Sequence, residues 1–188
     1  MEYFFEKNFD TRSLSSKNFK KGEFENCTFN GCDLSSADLS ESKFIGCVFE
    51  NCNLSMVKTG KTLFNDVLFK SSKLLGLRFD RCSTSGLRVN FDACILDHTA
   101  FGGLSLRNTQ FKNSKLSSAD FTGADLTAVV FETCNLSDAL FENTNLEKTD
   151  FRTATDFSID PSKNRMKGAR FALESVPGLL RHHQIDIE

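Results

Sequence analysis

Apolar residues recur along this chain every five positions. From Phe4 onward, positions 4, 9, 14 and so on to 79 carry Phe or Leu, with Thr59 the single exception. Thr84 and Val89 weaken the register. A second register opens at Phe91 and runs through Leu96, Phe101, Leu106 and Phe111 to Phe151 without a gap. An amphipathic helix needs apolar spacing near 3.6 and a half-buried strand needs 2. Period five is neither, and it requires a backbone that turns a corner after every repeat. The residue two before each centre is restricted to small or medium side chains, such as Cys27, Ala37, Ser42, Val67, Thr99 and Ala124. Centre and minus-two residue therefore point inward together. The other three positions, rich in Asn, Asp, Ser, Thr, Lys and Glu, face water.

Reading every twentieth residue sorts the centres into columns. Phe4, Phe24, Phe44 and Phe64 form one; Phe9, Phe29, Phe49 and Phe69 form the next; Leu14, Leu34, Leu54 and Leu74 form the third. The fourth is mixed, with Phe19, Leu39, Thr59 and Phe79. The second register repeats the order, with Phe91, Phe111, Phe131 and Phe151 in one column and Leu96, Leu116 and Leu136 in the next. Four repeats per coil stack like on like, whereas three would scramble Phe and Leu. Fixed-period self-similarity of this kind marks a solenoid.

The pattern resembles the pentapeptide-repeat family, whose consensus is A(D/N)LXX. Near-literal copies stand at Ala37-Asp38-Leu39-Ser40-Glu41, Ala119-Asp120-Phe121-Thr122-Gly123 and Ala124-Asp125-Leu126-Thr127-Ala128. The resemblance covers residues 4 to about 155. It implies an all-β fold, a right-handed quadrilateral parallel β-helix of about eight coils, stabilised coil by coil. Residues 1–155 are expected to form this solenoid and residues 156–188 a C-terminal cap. Between Thr84 and Phe91 two residues are inserted, so 85–90 is read as a bulge or kink between two stacked halves rather than a projecting loop.

After Phe151 the pattern lapses, and both prolines, Pro161 and Pro177, appear. Ser175 can cap a short α-helix with Pro177 in its first turn, and Leu179 and Leu180 can cover the last coil. Ile185 and Ile187 alternate like a short strand. The N-terminal edge has no evident cap. Asp160-Pro161, Gly168, Leu179-Leu180 and Ile185 are similar to the C-terminal segment of the Qnr quinolone-resistance branch. That segment mediates a dimer there, so the resemblance makes Leu179, Leu180, Ile185 and Ile187 candidates for a homodimer interface. A cap that pairs with nothing stands beside this reading.

Composition narrows the function. A net charge of −2 argues against nucleic-acid binding through a broadly basic surface. The N-terminal MEYFFEKNFD lacks the basic and apolar regions of a secretory signal, and no apolar run reaches bilayer length, so a cytoplasmic protein is expected. All seven cysteines, at 27, 32, 47, 52, 82, 94 and 134, occupy the minus-two position. That slot elsewhere takes Ala, Ser, Thr or Val, so Cys reads as a small buried hydrophobe rather than a zinc ligand or half-disulfide. No cofactor or metal is expected. Ser55 to Thr62, SMVKTGKT, resembles a phosphate-binding loop with its first Gly replaced. That motif needs a helix after it, and here Phe64 and Phe69 resume the repeat. His98, His182 and His183 are the only histidines, and nothing supplies a base, an orienter and an oxyanion hole together. A core filled with Phe and Leu leaves no interior cavity for a substrate, so the protein is not read as an enzyme.

Charge is uneven along the chain. Residues 57–88 carry seven Lys/Arg and two Asp, and residues 117–156 carry eight Asp/Glu and two Lys/Arg. The primary reading is a non-catalytic interaction or scaffold module with a protein partner. The alternative, implied by the Qnr resemblance, is a DNA mimic that binds DNA gyrase or another type II topoisomerase and protects it from fluoroquinolones. Asp120, Asp125, Glu132, Glu142, Glu147 and Asp150 are then the partner-binding candidates. They distribute over several sides rather than one stripe.

Overall fold

The structure, a computed structural model, describes residues 2–183 and residue 185. Eleven short strands follow the five-residue period: β1 (Glu2–Phe5), β2 (Asn8–Asp10), β3 (Gly22–Glu25), β4 (Thr28–Asn30), β5 (Lys43–Ile45), β6 (Val48–Glu50), β7 (Leu63–Asn65), β8 (Val67–Lys70), β9 (Val89–Asp92), β10 (Gln110–Lys112) and β11 (Val130–Glu132). They stack in two parallel sheets. One is four-stranded, in the order β1-β3-β5-β7; the other is seven-stranded and runs from β2 through β4, β6, β8, β9 and β10 to β11. Single bridges join the other two faces, among them Asp33↔Asn53↔Lys73↔Ile95 and Arg78↔Ala100↔Asp120↔Leu140. The chain is a four-sided, right-handed parallel β-helix.

The columns read from the sequence are the columns of the core. Phe4, Phe24, Phe44 and Phe64 pair in register on the first face. Phe9, Phe29, Phe49, Phe69, Phe91, Phe111 and Phe131 do so on the second. Rings within a column stack; Phe29 and Phe49 lie 4.4 Å apart at 6°, and Phe101 and Phe121 lie 5.1 Å apart at 4°. Rings in different columns meet edge to face, as do Phe24 and Phe29 at 5.5 Å. Both are favoured quadrupole geometries, worth about 0.5–1.5 kcal/mol per pair beyond burial.

The minus-two residues do more than fill space. Many of their thiols and hydroxyls donate to the backbone carbonyl of a centre residue one coil earlier. Cys47 reaches Phe24, Cys52 reaches Phe29, Thr62 reaches Leu39, Thr144 reaches Phe121 and Thr149 reaches Leu126, all within 3.3 Å. This explains why the slot accepts Cys, Ser and Thr as readily as Ala. A hydroxyl or thiol there is buried with a partner, so it escapes the penalty of an unpaired polar group.

Where the residue before a centre is Asp or Asn, it often has a second duty. Asp38 accepts from the Ser40 amide, Asn53 from Ser55, Asp120 from Thr122, Asp125 from Thr127, Asn135 from Ser137 and Asp150 from Arg152. Each carboxylate or amide closes a turn two residues on. The Ser40 hydrogen bond, followed by Lys21, holds the Asp38 carboxyl down at about 2. The second residue after most centres then takes a left-handed conformation, often without being glycine: Ala93 has φ 54° and Ala128 φ 60°. A Cβ in that region costs about 1–2 kcal/mol. Both alanines are exposed. We expect Ala93→Gly and Ala128→Gly each to stabilise the protein by about 1 kcal/mol once the entropy of the glycine is set against the relieved strain, as a rise in the urea midpoint at unchanged slope.

The inserted pair is absorbed on one face. The four-stranded sheet ends at β7, and Ser85 and Gly86 make an exposed turn, with Gly86 at φ 82°. The Asn65 side chain donates to the Gly86 carbonyl at 2.7 Å, and Leu87 packs against the core. On the second face β8 pairs directly with β9, Phe69 against Phe91, so that sheet crosses the insertion without interruption. Aromatic residues change sides there. The first face carries Leu106, Leu126 and Leu146 beyond the turn, while the fourth gains Phe79, Phe101, Phe121 and Phe141.

Coil pairing continues past residue 155. Asn145 bridges Arg165, Asp150 bridges Arg170, and Phe171 stacks on Phe151 at 5.2 Å and 4°. The grid lapses only at Asp156 and Pro161, where Phe157 and Ile159 fill the core from neighbouring positions. Met166 and Phe171 return to it. The cap helix is a 3-10 helix over Leu173–Leu179 and not the α-helix the sequence suggested. Ala172, not Ser175, stands at its N-cap. The Ser175 hydroxyl instead donates to the Ala172 carbonyl at 2.9 Å, and Pro177 lies well inside the helix. Proline's missing N–H and a run too short for an apolar stripe favour the tighter turn. The Ile159 amide donates to the Gly178 carbonyl. A Cβ at Gly178 would stand 2.6 Å from the Phe157 carbonyl oxygen, so glycine permits the cap's close approach.

Candidate functional site

The surface is made of the three outward residues of each repeat, and any partner must read it there. The six candidate acids lie in the second half. Asp120 and Glu142 flank Phe121 and Phe141 on the fourth face; Asp125 and Glu147 flank Leu126 and Leu146 on the first; Glu132 and Asp150 flank Phe131 and Phe151 on the second. The coil period holds them on three sides and gathers them into no single stripe.

Most are also engaged within the chain. Asp125 pairs with Arg107 at 2.7 Å, Asp150 with Arg152 at 2.7 Å, Glu142 with Lys163 at 3.2 Å and Glu132 with Lys112 at 3.4 Å. Asp120, Asp125 and Asp150 are turn caps as well. Hydrogen bonds from the Arg152 side chain hold the Asp150 carboxyl below the usual carboxylate range. Pairs this exposed add at most about 1 kcal/mol each to stability, but they offset the negative field a mimic of duplex DNA would need. Asp120 and Glu147 are the candidates with no ion pair among the described residues. The cap duty of the aspartates was written in the consensus itself, since a residue that closes a turn recurs for structural reasons.

At the C-terminal end Leu179 packs against the core, Leu180 is half-buried and Ile185 is exposed. Ile187 lies outside the described residues. Leu173, which sequence reasoning passed over, is 86% exposed at the start of the cap helix. The histidines do not converge. His98 stands alone on a corner, and His182 lies 3.3 Å from the Ser158 hydroxyl. The seven cysteines are buried and free. Burial pushes the Cys47 and Cys82 thiols up to about 12 and those of Cys94 and Cys134 to about 11, so their sulfurs are poor nucleophiles. The segment resembling a phosphate-binding loop runs into strand β7 rather than a helix. No helix among the described residues is long and apolar enough to cross a membrane.

A family model described as a pentapeptide repeat region matches residues 4–79 and again 78–151. The chain belongs to the pentapeptide-repeat family. The two matches meet at Arg78–Phe79, just before the inserted turn. Among curated proteins, none matches the sequence. Among solved structures, this pentapeptide-repeat protein is similar to two trypsin-treated variants of QnrB1, a plasmid-mediated fluoroquinolone resistance protein. The first has a TM-score of 0.64 at 17% identity over 100% of each chain. The second has a TM-score of 0.63 at 18% identity, over 99% of this chain and 98% of that one. HetL, involved in heterocyst differentiation regulation in the cyanobacterium Nostoc, matches with a TM-score of 0.47 at 16% identity over 90% and 88%. At these identities the likeness concerns the fold.

Proposed function

We propose that this pentapeptide-repeat protein is a non-catalytic interaction module that presents a rigid, four-sided polar surface to a protein partner. The observation that carries this reading is the core. From Phe24 to Ile159 the interior is a continuous packing of Phe, Leu and small residues, so the outward positions that close no turn are free to vary without loss of fold. Such a column suits recognition, because its surface loses little conformational entropy on binding.

A second reading, the topoisomerase-binding DNA mimic, is favoured by the excess of acids in residues 117–156. The ion pairs described above weigh against it. The same reading includes a homodimer through the cap, where Leu173 and Ile185 are exposed and Leu180 is half-buried. A supercoiling assay with purified DNA gyrase, with and without a fluoroquinolone, separates the two readings. Protection or inhibition at low micromolar protein places the mimic first. Charge reversal at Glu132, Glu142 and Glu147 together, none of which caps its own turn, should then abolish the effect. No effect at high concentration rules the mimic out and leaves the interaction module with another partner.

A further inference from the structure

On the fourth face, above the first coil, the coils come apart at one level. The bridge ladder there runs Asp38↔Lys58 and then resumes at Arg78↔Ala100. No rung joins Lys58 to Arg78 among the described residues. From the Lys58 rung upward on this face, the residue before the centre otherwise donates its amide to the minus-two carbonyl one coil earlier, as Lys58 does to Ala37 and Ala100 to Leu77. The equivalent bond from Arg78 to Val57 is missing. Each centre normally donates to the coil above, as Leu39 does to the Lys58 carbonyl. At Thr59 the side-chain hydroxyl makes that bond instead, to the Arg78 carbonyl at 2.6 Å.

The cause is Thr59, a buried hydroxyl where this column otherwise carries Phe or Leu. Above it Phe79–Arg81 form a 3-10 turn. Gly60 adds to the opening and also lacks a turn cap. Ser40 and Thr122 at equivalent positions give their amides to Asp38 and Asp120, but the residue preceding Thr59 is Lys58. The amides of Thr59, Gly60 and Arg78 therefore have no partner among the described residues.

The resulting cleft has a volume of about 500 Å³ and is lined by Lys58, Lys61, Arg78 and Arg81 beside Gly60 and Gly76. Two carboxylates act on these cations, Asp80 directly and Asp120 on Arg78 at longer range. Asp80 pairs with Arg78 through two hydrogen bonds and lies 3.9 Å from Arg81. Lys58 and Lys61 have no ion pair among the described residues. Unpaired amides and excess positive charge at one opening form an anion site by the same logic that places phosphates on amide nests. The volume suits a small molecule rather than a single ion.

We propose that this cleft binds a small molecule bearing a phosphoanhydride, with Lys58, Lys61 and Arg81 on the phosphates and the Gly60 amide donating to a phosphate oxygen. The arrangement owes nothing to a phosphate-binding loop and helix, since β7 follows directly. It is also independent of the partner-binding reading, because the acids considered there lie in other coils.

The test uses the whole protein with inorganic pyrophosphate and ATP as probes. Amide resonances are followed by NMR and affinity is measured by calorimetry. The Gly60 and Arg78 amides should shift on titration with either probe. Lys58→Gln with Lys61→Gln should weaken binding by at least about tenfold, as expected when two charge-assisted contacts are lost. Lys112→Gln with Lys115→Gln, elsewhere on the column, should not. Thr59→Leu restores the regular column and closes the cleft. It should lose pyrophosphate binding while raising the melting temperature, which separates a lost site from a lost fold. Absence of any shift at Gly60 in millimolar pyrophosphate overturns the proposal. So does undiminished binding by Thr59→Leu, and so does binding of a DNA oligonucleotide in the cleft when pyrophosphate and ATP do not bind.

Discussion

A Phe121→Asp variant will fail to form the column. Phe121 is fully buried and stacks between Phe101 at 5.1 Å and Phe141 at 5.2 Å, with Phe131 edge-on at 5.8 Å. A carboxylate placed there has apolar rings above, below and beside it. Burying an unpaired charge costs many kcal/mol unless the group protonates, and even the neutral acid lacks a partner. A typical domain has about 5–15 kcal/mol in total to lose. The milder variants grade the effect. Phe121→Ala removes the ring and leaves a void, for about 3–5 kcal/mol. Phe121→Leu should cost far less, because the same column already holds Leu39. Solenoid stability is roughly a sum of coil terms and neighbour interfaces, so damage in a middle coil also uncouples the two ends. Urea unfolding followed by circular dichroism should rank the variants Leu, Ala, Asp. A cooperatively folding Phe121→Asp protein with an unchanged midpoint would contradict the register described here.

The second large effect is a collapse of stability in alkali. Burial raises Cys47 and Cys82 to about 12 and Cys94 and Cys134 to about 11. An unfolded thiol titrates near about 8.5. Between these values the unfolded chain has released protons that the folded chain retains, so stability falls as pH rises. The contribution is whole below about pH 8.5 and is lost as pH climbs through about 11 to 12. Each thiol then subtracts up to about 1.4 kcal/mol per pH unit, and the four act together. Replacing all four by Ser should flatten the slope and leave the fold intact. Ser72 already occupies a minus-two slot and donates to the Phe49 carbonyl at 3.1 Å. Melting temperatures of both proteins from pH 7.5 to 11 decide the matter. Parallel curves would mean that the thiols do not govern the alkaline limit.

The solenoid could be read from sequence because its core is written at a fixed period. Column identity, the four sides and the place of the insertion all follow from where Phe and Leu recur. The end of the column was harder to see. Asp156 and Pro161 break the count although Phe157 and Ile159 keep the core filled, and pattern reasoning has no access to such substitutions from neighbouring positions. The tightness of the cap helix depends on Pro177 and the approach of Gly178 to Phe157, which are tertiary facts. The acids were visible but their employment was not. Only in the folded column do Asp125 and Asp150 meet Arg107 and Arg152. Thr59 was legible as an exception to the pattern, yet the cleft it opens requires the missing rung to be seen.

The inserted turn at Ser85–Gly86 sets a rule for editing the chain's length. Phe49 sits beneath Phe69 at an interval of twenty residues, and Phe69 beneath Phe91 at twenty-two. Column continuity is thus quantised, and the pair of extra residues is tolerated because one face alone stores it as a protruding corner. Deleting a block of twenty residues within the first half should bring like onto like and heal the joint. Deleting ten would set the second face upon the fourth, leaving phenylalanine above threonine or leucine. A lineage of such columns can grow or shrink by whole turns of the coil, with corners like this one as its record of inexact joins.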